Sequence, residues 1–232
     1  MISTRNVKII SIEGNIGAGK STIITNMKNY FNELKNKEKY IDIDKKIIFI
    51  KEPLDIWEGM KDIPSGKNMI ELFYENQKKW SFTFQMMVLA TQEQLITETI
   101  ENNPYCEVII SERSIDAGKH VFTEMLVDSN NMSNIEHQVY NLMFNNCKYK
   151  LNETIFIDIN PEICYNRVCK RARDGETGID LEYLKCCDDY YRKWLFEKKE
   201  LYQYPENVSV INDNQLHDIL PVLIPMISYI IQ

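Results

Sequence analysis

The chain has 232 residues, of which 44% are apolar and 26% charged, and its net charge is −7. This length suits one α/β domain, and the apolar fraction is ample for a buried core. The acidic balance argues against a general nucleic-acid-binding surface. The six cysteines include no Cys-x-x-Cys pair and no zinc-ligand spacing with the three histidines, so we expect reduced thiols in an intracellular protein.

We expect neither a signal peptide nor a membrane span. Residues 1–6 are polar, and the residues after them have the pattern of a strand. The most apolar tract, residues 219–231, is shorter than a membrane span and contains Pro221 and Pro225, so it predicts a closing amphipathic helix. These features predict a cytoplasmic protein with a single domain over residues 1–232, without nucleic-acid or membrane partners.

A strand, a glycine-rich loop and a helix are the first predicted elements. Residues 7–12 are apolar and rich in β-branched side chains, and residues 21–34 carry apolar residues on one helix face. Between them, residues 14–21 read G-x-x-x-x-G-K-S, the phosphate-binding loop of P-loop nucleotide-binding proteins. In such a loop Lys20 reaches the β- and γ-phosphates of ATP, and Ser21 offers a hydroxyl to Mg²⁺. The predicted nucleotide-binding residues are Gly14, Asn15, Ile16, Gly17, Ala18, Gly19, Lys20, Ser21 and Thr22.

Four more short apolar strands alternate with helical patterns along the chain. The strands are predicted at residues 47–50, 108–111, 154–159 and 208–211. After a polar connection over residues 32–46, helices are predicted at residues 68–102, 117–126, 135–147, 162–172 and 181–201. This alternation predicts an α/β fold with a parallel five-stranded sheet covered by helices on both faces.

Charged residues follow two of these strands, at the sheet edge that carries the phosphate loop. Ligands of open parallel sheets bind beyond the carboxyl ends of the strands, and Glu52, Glu112 and Arg113 stand there. One such charge is often only a solvated rim residue, whereas several beside a phosphate loop favour a site. Glu112 suits Mg²⁺ directly or through water, and Arg113 can neutralise a phosphate or orient a carboxylate. Glu52 is the candidate base for a hydroxyl nucleophile.

A basic cluster follows the fourth strand. Arg167 and Arg171 are four residues apart on one helix face, and Arg173 lies where that helix gives way to a polar break over residues 174–178. Like charges at this spacing repel unless an anion lies between them. The cluster is either a solvated basic face or an arginine-rich lid that stabilises a transferring phosphoryl group.

The long helical pattern over residues 68–102 is rich in aromatic residues. Tyr74 and Gln85 are three helical turns apart, which would put them on one face. Aromatic residues at helical spacing usually belong to a core. Gln85 is the exception within the apolar stretch, because a buried amide needs hydrogen-bond partners, which the edge of a nucleobase could supply.

In order and spacing, the motifs resemble the deoxynucleoside kinase family, which includes deoxycytidine kinase, deoxyguanosine kinase and mitochondrial thymidine kinase. The resemblance covers nearly the whole chain. It is carried by the phosphate loop, Glu52-Pro53 with Trp57, W-S-F-T-F-Q at residues 80–85, E-R-S at 112–114, P-E-x-C-x-x-R at 161–167, R-x-R-x-x-E at 171–176 and L-E-Y-L at 181–184.

This resemblance implies a role for each matching residue. Glu52 would take the proton from the nucleoside 5′-OH, with Arg113 beside it, while Tyr74 and Glu176 would hold the sugar 3′-OH. Gln85 would pair with the base edge, and Phe84 and Trp57 would pack about the base. The lid arginines would be Arg167, Arg171 and Arg173. Members of the family are usually homodimers, which implies a homodimer here as well.

Three positions depart from the family pattern. The lid often carries two adjacent glutamates, but Gly175 takes the first of these positions here. Gly118 stands where resemblance to deoxycytidine kinase would call for Asp and resemblance to thymidine-accepting members for Ala. Gln92 stands where those groups would show Arg and Met. We expect Gln92 and Gly118 to line the base site, with room at Gly118 for the 5-methyl group of thymine.

The interpretation that follows is an ATP- and Mg²⁺-dependent kinase acting on the 5′-OH of a deoxynucleoside, with thymidine and deoxycytidine preferred. A purine preference stays open, because the space at Gly118 could also admit a purine. A nucleoside monophosphate kinase would need further cationic groups for the acceptor phosphate. A GTPase-type switch would need an N-K-x-D motif, which the sequence lacks.

Overall fold

A five-stranded parallel sheet forms the centre of the computed structural model, which describes residues 7–35, 46–173, 175–197 and 207–212. The strand order is β2-β3-β1-β4-β5, and every pairing is parallel. The strands are β1 (Lys8–Gly14), β2 (Ile47–Ile50), β3 (Val108–Glu112), β4 (Glu153–Asp158) and β5 (Asn207–Asn212). The predicted sheet is therefore confirmed.

Helices connect successive strands. They are α1 (Lys20–Lys35), α2 (Leu54–Gly59), α3 (Met69–Glu75), α4 (Gln77–Asn102), α5 (Ile115–Ala117), α6 (Glu124–Asp128), α7 (Asn134–Asn145), α8 (Pro161–Arg171) and α9 (Leu181–Arg192). The helix predicted over residues 219–231 and most of the polar connection over residues 32–46 lie outside the described residues.

Side chains that alternate along the strands place helices on both faces of the sheet. In β1, Ile10 and Ile12 pack in one cluster with Ile24 and Met27 of α1. Ile9, one residue along, instead belongs to a cluster that contains Ile96 of α4. Because successive strand side chains point to opposite faces, this period-two pattern assigns α1 and α4 to opposite sides of the sheet.

The prediction of one helix over residues 68–102 is wrong, because the chain breaks at Asn76. Asn76 has φ −147° and ψ 80°, and its side chain accepts a hydrogen bond from the Lys79 N–H, so it ends α3 and caps α4. Asparagine is among the best capping residues, since its side chain satisfies an N–H that the new helix leaves unpaired. Tyr74 and Gln85 therefore lie on different helices rather than on one helix face.

Two helices differ from their predicted form by a wider turn. Between α5 and α6, residues Gly118–Thr123 form a π-helical turn, where the sequence predicts an ordinary helix over residues 117–126. Helix α9 changes to π-helical geometry at Lys193–Glu197, and residues 198–201 of the predicted helix lie outside the described residues. Such turns occur often at functional sites.

Helix α8 begins and ends as its sequence predicts. Pro161 occupies the first turn, after the Asn160 side chain that accepts a hydrogen bond from Glu162 N–H. Ala172, with φ 46°, ends the helix in the left-handed conformation. Arg167 and Arg171 are thereby fixed on a regular helix, and Arg173 follows its end.

Across the helices that the structure describes, none combines the length and the apolar character of a membrane span.

Candidate active site

A cavity of about 400 Å³ lies at the carboxyl edge of the sheet, within the size range of small-molecule sites. The phosphate loop, the residues after β2 and β3, the α3–α4 pair and the end of α8 all contribute to its wall. The predicted site residues that line it are Ile16, Gly17, Gly19, Lys20, Ser21, Thr22, Glu52, Trp57, Tyr74, Phe84, Gln85, Gln92, Glu112, Arg113, Gly118, Arg167, Arg171, Arg173 and Glu176.

The phosphate loop has the backbone that an anion site requires. Gly17 and Gly19 have φ values of 85° and 102°, which residues with a Cβ rarely adopt. A Cβ on Gly17 would also lie 2.5 Å from the carbonyl oxygen of Cys164, so only glycine fits there. Lys20 Nζ donates to the carbonyl oxygens of Gly14 and Asn15, at 3.1 and 2.9 Å. Burial lowers the pKa of Lys20 to about 8.

Ser21 and Glu112 form a pair of oxygen donors beside this loop. The Ser21 hydroxyl donates a hydrogen bond to Glu112 Oε1. Mg²⁺ is usually bound by few protein oxygens together with water and substrate phosphates. Ser21 and Glu112 therefore fit a nucleotide-bound Mg²⁺.

Glu52 and Arg113 form an ion pair inside the cavity, with Arg113 Nε 3.0 Å from Glu52 Oε1. Arg113 adopts the left-handed conformation with φ 62°, its Nη1 donates to the Gly14 carbonyl oxygen at 3.2 Å, and its guanidinium lies 4.8 Å from the centre of the Phe122 ring. Burial raises the pKa of Glu52 above its ordinary value of 4.5, while Arg113 opposes that increase. A buried carboxylate of raised pKa is suited to act as a general base.

An apolar compartment adjoins the ion pair. The ring of Phe84 stacks on Phe73, with centroids 4.4 Å apart, and meets Trp57 edge to face at 5.9 Å. Gln85 and Gln92 are buried, and neither Oε1 has a hydrogen-bond partner among the residues that the structure describes. Because unpaired buried polar atoms are costly, two such acceptors in a cavity favour a ligand that supplies N–H groups.

Gly118 lies in the cavity wall, with Tyr140 behind it. A Cβ on Gly118 would be 3.2 Å from the Tyr140 hydroxyl oxygen, and no other described atom outside the local helix backbone would lie within 4 Å of it. Tyr140 is fully buried. The Cβ direction of Gly118 therefore meets the Tyr140 hydroxyl rather than open space, and room for a 5-methyl group at this position stays a prediction.

The arginine-rich segment carries its own counterion. Arg171 Nη2 lies 2.6 Å from Glu176 Oε2, and Arg173 Nη1 lies 3.4 Å from Glu176 Oε1. Gly175, with φ 87°, explains the departure from the family pattern, because a Cβ there would lie 3.1 Å from Glu71 Cγ. The segment thus packs closely on α3 and holds Glu176 beside the cavity.

Three predicted nucleotide-binding residues do not line the cavity. Ala18 is fully buried, and Asn15 Nδ2 donates to the Leu184 carbonyl oxygen at 2.8 Å. The Gly14 carbonyl oxygen instead accepts hydrogen bonds from Lys20 and Arg113. These residues shape the loop from behind. Whether they contact nucleotide stays a prediction.

The sequence analysis missed part of the wall and a buried network behind it. The missed lining residues are Leu54, Ile70, Phe73, Val88, Ser114, Phe122 and Tyr183. They are apolar, aromatic or small residues that look like ordinary core residues in a sequence. Behind Arg113 lie Glu13 and Tyr191, both fully buried. Glu13 could have been found, since it is a charged residue at the carboxyl end of a buried strand, like Glu112.

The fold and the cavity place the chain among P-loop nucleotide-binding proteins whose phosphate loop adjoins an aromatic compartment. The family model for deoxynucleoside kinase matches residues 10–220, and the chain belongs to the deoxynucleoside kinase family. It is therefore a kinase that uses a nucleotide to phosphorylate nucleosides.

Curated relatives agree with this family. A probable deoxycytidine kinase of fowlpox virus (strain NVSL) is 31% identical over 198 residues, covering 83% of this chain and 74% of the relative. The mitochondrial deoxyguanosine kinase of Xenopus laevis is 28% identical over 83% of this chain and 74% of its own length. The deoxycytidine kinase of Mus musculus is 28% identical over 88% and 82%, respectively. Relatives named for different bases match about equally well.

Proposed function

We propose that this kinase transfers the γ-phosphoryl group of ATP to the 5′-OH of a deoxynucleoside, as a single-domain enzyme of nucleotide salvage. The observation that carries the proposal is the position of the Glu52–Arg113 ion pair. It lies in one cavity with Lys20 and Ser21 of the phosphate loop and with the aromatic compartment around Phe84. A hydroxyl next to Glu52 would face both its base and the phosphate donor.

Glu52 takes the proton of the 5′-OH as the oxygen attacks the γ-phosphorus. Arg113 orients Glu52 through the ion pair and adds positive charge at the reacting end of the cavity. Lys20 turns from the loop carbonyls to the β- and γ-phosphates. Mg²⁺, held by Ser21 and Glu112, would neutralise charge on the same phosphates.

The lid arginines stabilise the charge that develops on the transferring group. Arg171 and Arg173 are paired with Glu176, so they exchange this partner for phosphate oxygens when ATP is bound. Arg167, on the same helix as Arg171, lines the cavity and donates to the Ala18 carbonyl oxygen of the phosphate loop at 3.4 Å, which supports a role beside the nucleotide. Such arginine contacts act mainly on the transition state, where the phosphoryl oxygens carry spread negative charge.

Tyr74 and Glu176 hold the sugar 3′-OH, and Gln85 pairs with the edge of the base. An amide can present its C=O and NH₂ groups in either order, so Gln85 can pair with thymine or cytosine. Trp57 and Phe84 pack about the base. Gly118 lines the cavity and contributes no side chain to it, which supports room for the 5-methyl of thymine and a preference for thymidine and deoxycytidine over purines.

A purine preference is the main alternative, because the unpaired Gln92 Oε1 could also accept from a purine amino group. Steady-state kinetics with the four deoxynucleosides and their monophosphates, using ATP and Mg²⁺, test the proposal. We expect phosphorylation of nucleosides but not monophosphates, with kcat/KM highest for the pyrimidines, and loss of turnover in Lys20→Met. A higher kcat/KM for deoxyguanosine or deoxyadenosine than for both pyrimidines would overturn the base preference alone. Turnover of monophosphates only would indicate the monophosphate kinase, and nucleotide binding without any phosphorylation the switch module.

We further propose a homodimer in the cytoplasm. The cysteines are free thiols, which suits a reducing compartment. Helix α7 exposes Ile135, Val139, Leu142 and Met143, each more than two-fifths exposed. Their spacing of four, three and one residues places them on one helix face, without a charge among them. An uncharged apolar face of this kind suits burial against the same face of a second copy.

A further inference from the structure

Glu13 is a buried carboxylate that no step of the proposed reaction uses. It belongs to β1, directly before Gly14 of the phosphate loop, and has no solvent-exposed surface. It does not line the cavity, so it cannot contact substrate in this structure. A carboxylate buried away from water is costly unless its position is needed or its charge is compensated.

Two hydroxyl groups donate hydrogen bonds to the Glu13 carboxylate. Tyr191 Oη donates to Glu13 Oε2 at 3.0 Å and also accepts from Arg113 Nη1. Since a guanidinium has donors only, the Tyr191 proton must point to Glu13. Ser114 Oγ accepts from the Ala117 N–H at 3.1 Å and donates to Glu13 Oε1 at 2.7 Å. Both carboxylate oxygens thus accept hydrogen bonds, which is the arrangement of the ionised form. Because burial raises the pKa of Glu13 to about 7, this form predominates above that pH.

Arg113 is therefore held from two sides. Its Nε pairs with Glu52 on the cavity side, and its Nη1 bonds the Tyr191 hydroxyl and the Gly14 carbonyl oxygen on the inner side. Its own backbone has φ 62°, a conformation that a non-glycine residue keeps only when its surroundings enforce it. The inner contacts supply that constraint.

We propose that Glu13 is a positioning residue that acts through Tyr191 to hold the Arg113 guanidinium in the orientation in which it pairs with Glu52. This inference rests on the proposed function for the role of Glu52, but the orientation of Arg113 can be measured without it. The charged groups that face Glu13 are Arg113 and Lys20, and both stabilise its ionised form. Tyr191 and Ser114 stabilise that form by their hydrogen bonds.

The test uses Tyr191→Phe, Glu13→Gln and the double variant in the full chain. Tyr191→Phe removes only the hydroxyl that links Glu13 to Arg113, and Glu13→Gln keeps the shape but removes the charge. Tyr190→Phe is the matched control, because the Tyr190 hydroxyl donates to Asp128 instead and Tyr190 does not line the cavity. Melting temperatures confirm that each variant is folded.

We expect each single variant to lower kcat about tenfold while the nucleoside KM changes less than about threefold, since Arg113 acts on the chemical step. The kcat of the double variant should be no lower than that of Tyr191→Phe alone, because substitutions within one hydrogen-bond network do not have additive effects. Tyr190→Phe should keep wild-type kcat. If Glu13 and Tyr191 only stabilised the fold, the variants would instead lower the fraction of active protein and the melting temperature, and their effects on kcat would not be coupled.

Nitrogen NMR of the Arg113 side chain, assigned by its loss in Arg113→Lys, follows the orientation directly. Separate Nη signals in the wild type that merge in Tyr191→Phe and in Glu13→Gln support the inference even if no deoxynucleoside is phosphorylated. Unchanged signals in both variants overturn it, as does a double variant whose loss of kcat is the product of the two single losses. A different result would refute the proposed function, namely wild-type protein that phosphorylates no deoxynucleoside.

Discussion

At the residue scale, two opposing effects act on the pKa of the Glu52 carboxylate. Burial raises its pKa, which makes it a stronger base, and Arg113 at 3.0 Å lowers the pKa and fixes its direction. A base must be within hydrogen-bond reach of the proton that it takes, and it must be ionised when the substrate arrives. The ion pair favours both conditions, because Arg113 fixes the direction of the carboxylate and stabilises its charged form against the effect of burial.

Glu52→Gln separates proton removal from substrate binding. The amide keeps the shape of the side chain and can still hydrogen-bond the 5′-OH, but it cannot take a proton. We expect kcat to fall about 10²–10⁴-fold with a much smaller change in nucleoside affinity. Steady-state kinetics and equilibrium binding of the nucleoside provide the two measurements. Weaker binding with an unchanged kcat would make Glu52 a residue that only positions the substrate.

Glu13 makes the stability of the protein depend on pH. Burial raises the pKa of Glu13 from 4.5 to about 7. Between these values the folded protein holds a proton that the unfolded chain releases, so the free energy of unfolding falls as the pH rises from about 4.5 to above 7. The full effect is on the order of 3 kcal/mol, at about 1.4 kcal/mol per pKa unit.

We therefore expect Glu13→Gln to gain stability relative to wild type as the pH rises, because glutamine carries no charge to bury. Denaturant unfolding of both proteins at pH 5 and pH 8 gives the measurement. The difference in free energy of unfolding should favour the variant more at pH 8 than at pH 5. An equal difference at both pH values would contradict the raised pKa. A variant that is more stable at pH 8 and yet slower would separate positioning from stability.

At the scale of elements, the lid segment depends on two glycines that let it approach α3. A Cβ on Gly178 would lie 3.1 Å from Tyr74 Cβ and 3.2 Å from the Tyr74 carbonyl oxygen. The second of these atoms is backbone and cannot rotate away. The 3₁₀ turn Glu176–Gly178 thus holds Glu176 next to Tyr74, and both residues are proposed to bind the sugar 3′-OH.

Gly178→Ala should move this turn away from α3 by a few tenths of an ångström. We expect the nucleoside KM to rise about three- to tenfold and the ATP KM to change less, because the shift separates Glu176 from Tyr74. Gly59→Ala is the matched control, since a Cβ on Gly59 would meet none of the described atoms within 4 Å outside its own helix backbone. Equal KM values in Gly178→Ala and wild type would show that the turn has room to adjust.

Elements with a strong local pattern could be predicted from the sequence, whereas breaks set by single residues could not. The strand at residues 47–50 and the Pro161 helix start match the structure, because β-branched runs and a proline in the first turn act locally. Asn76 was missed because it lies in a polar run over residues 75–79 that contains neither Pro nor Gly, and such a run can equally well continue a helix. Helix α2 was missed because six residues give too little periodicity.

For the site, sequence reasoning found residues whose chemistry is unusual for their position. Charges at strand ends and a glutamine among aromatics are such residues, and they line the cavity. Phe73 and Phe122 could not be found in that way, because an aromatic residue looks the same in a core and in a cavity wall. Tyr191 could not be found either, since its contact with Glu13 joins residues 178 positions apart.

At the scale of the whole molecule, the cavity and the exposed face of α7 are joined through the helices between them. Helix α7 packs on α4, which contributes Gln85 and Gln92 to the cavity. Tyr140 of α7 in turn lies behind Gly118 of the cavity wall. A second copy that covers the outer face of α7 would therefore restrain a helix whose inner face supports the base compartment. The proposed dimer would then stabilise the site as well as cover apolar surface.

Ile135→Asp is the last prediction, and it tests the proposed dimer. Ile135 is 65% exposed in the first turn of α7, where an acidic residue is favourable, so the variant should fold normally. A charge within a paired apolar face would be buried without a partner, and we expect the variant to be a monomer by light scattering after size-exclusion chromatography. Ile63→Asp introduces the same charge at a 96% exposed position that does not belong to α7, and this variant should remain dimeric. A monomeric wild type, or an Ile135→Asp variant as dimeric as Ile63→Asp, would rule out this face as the interface.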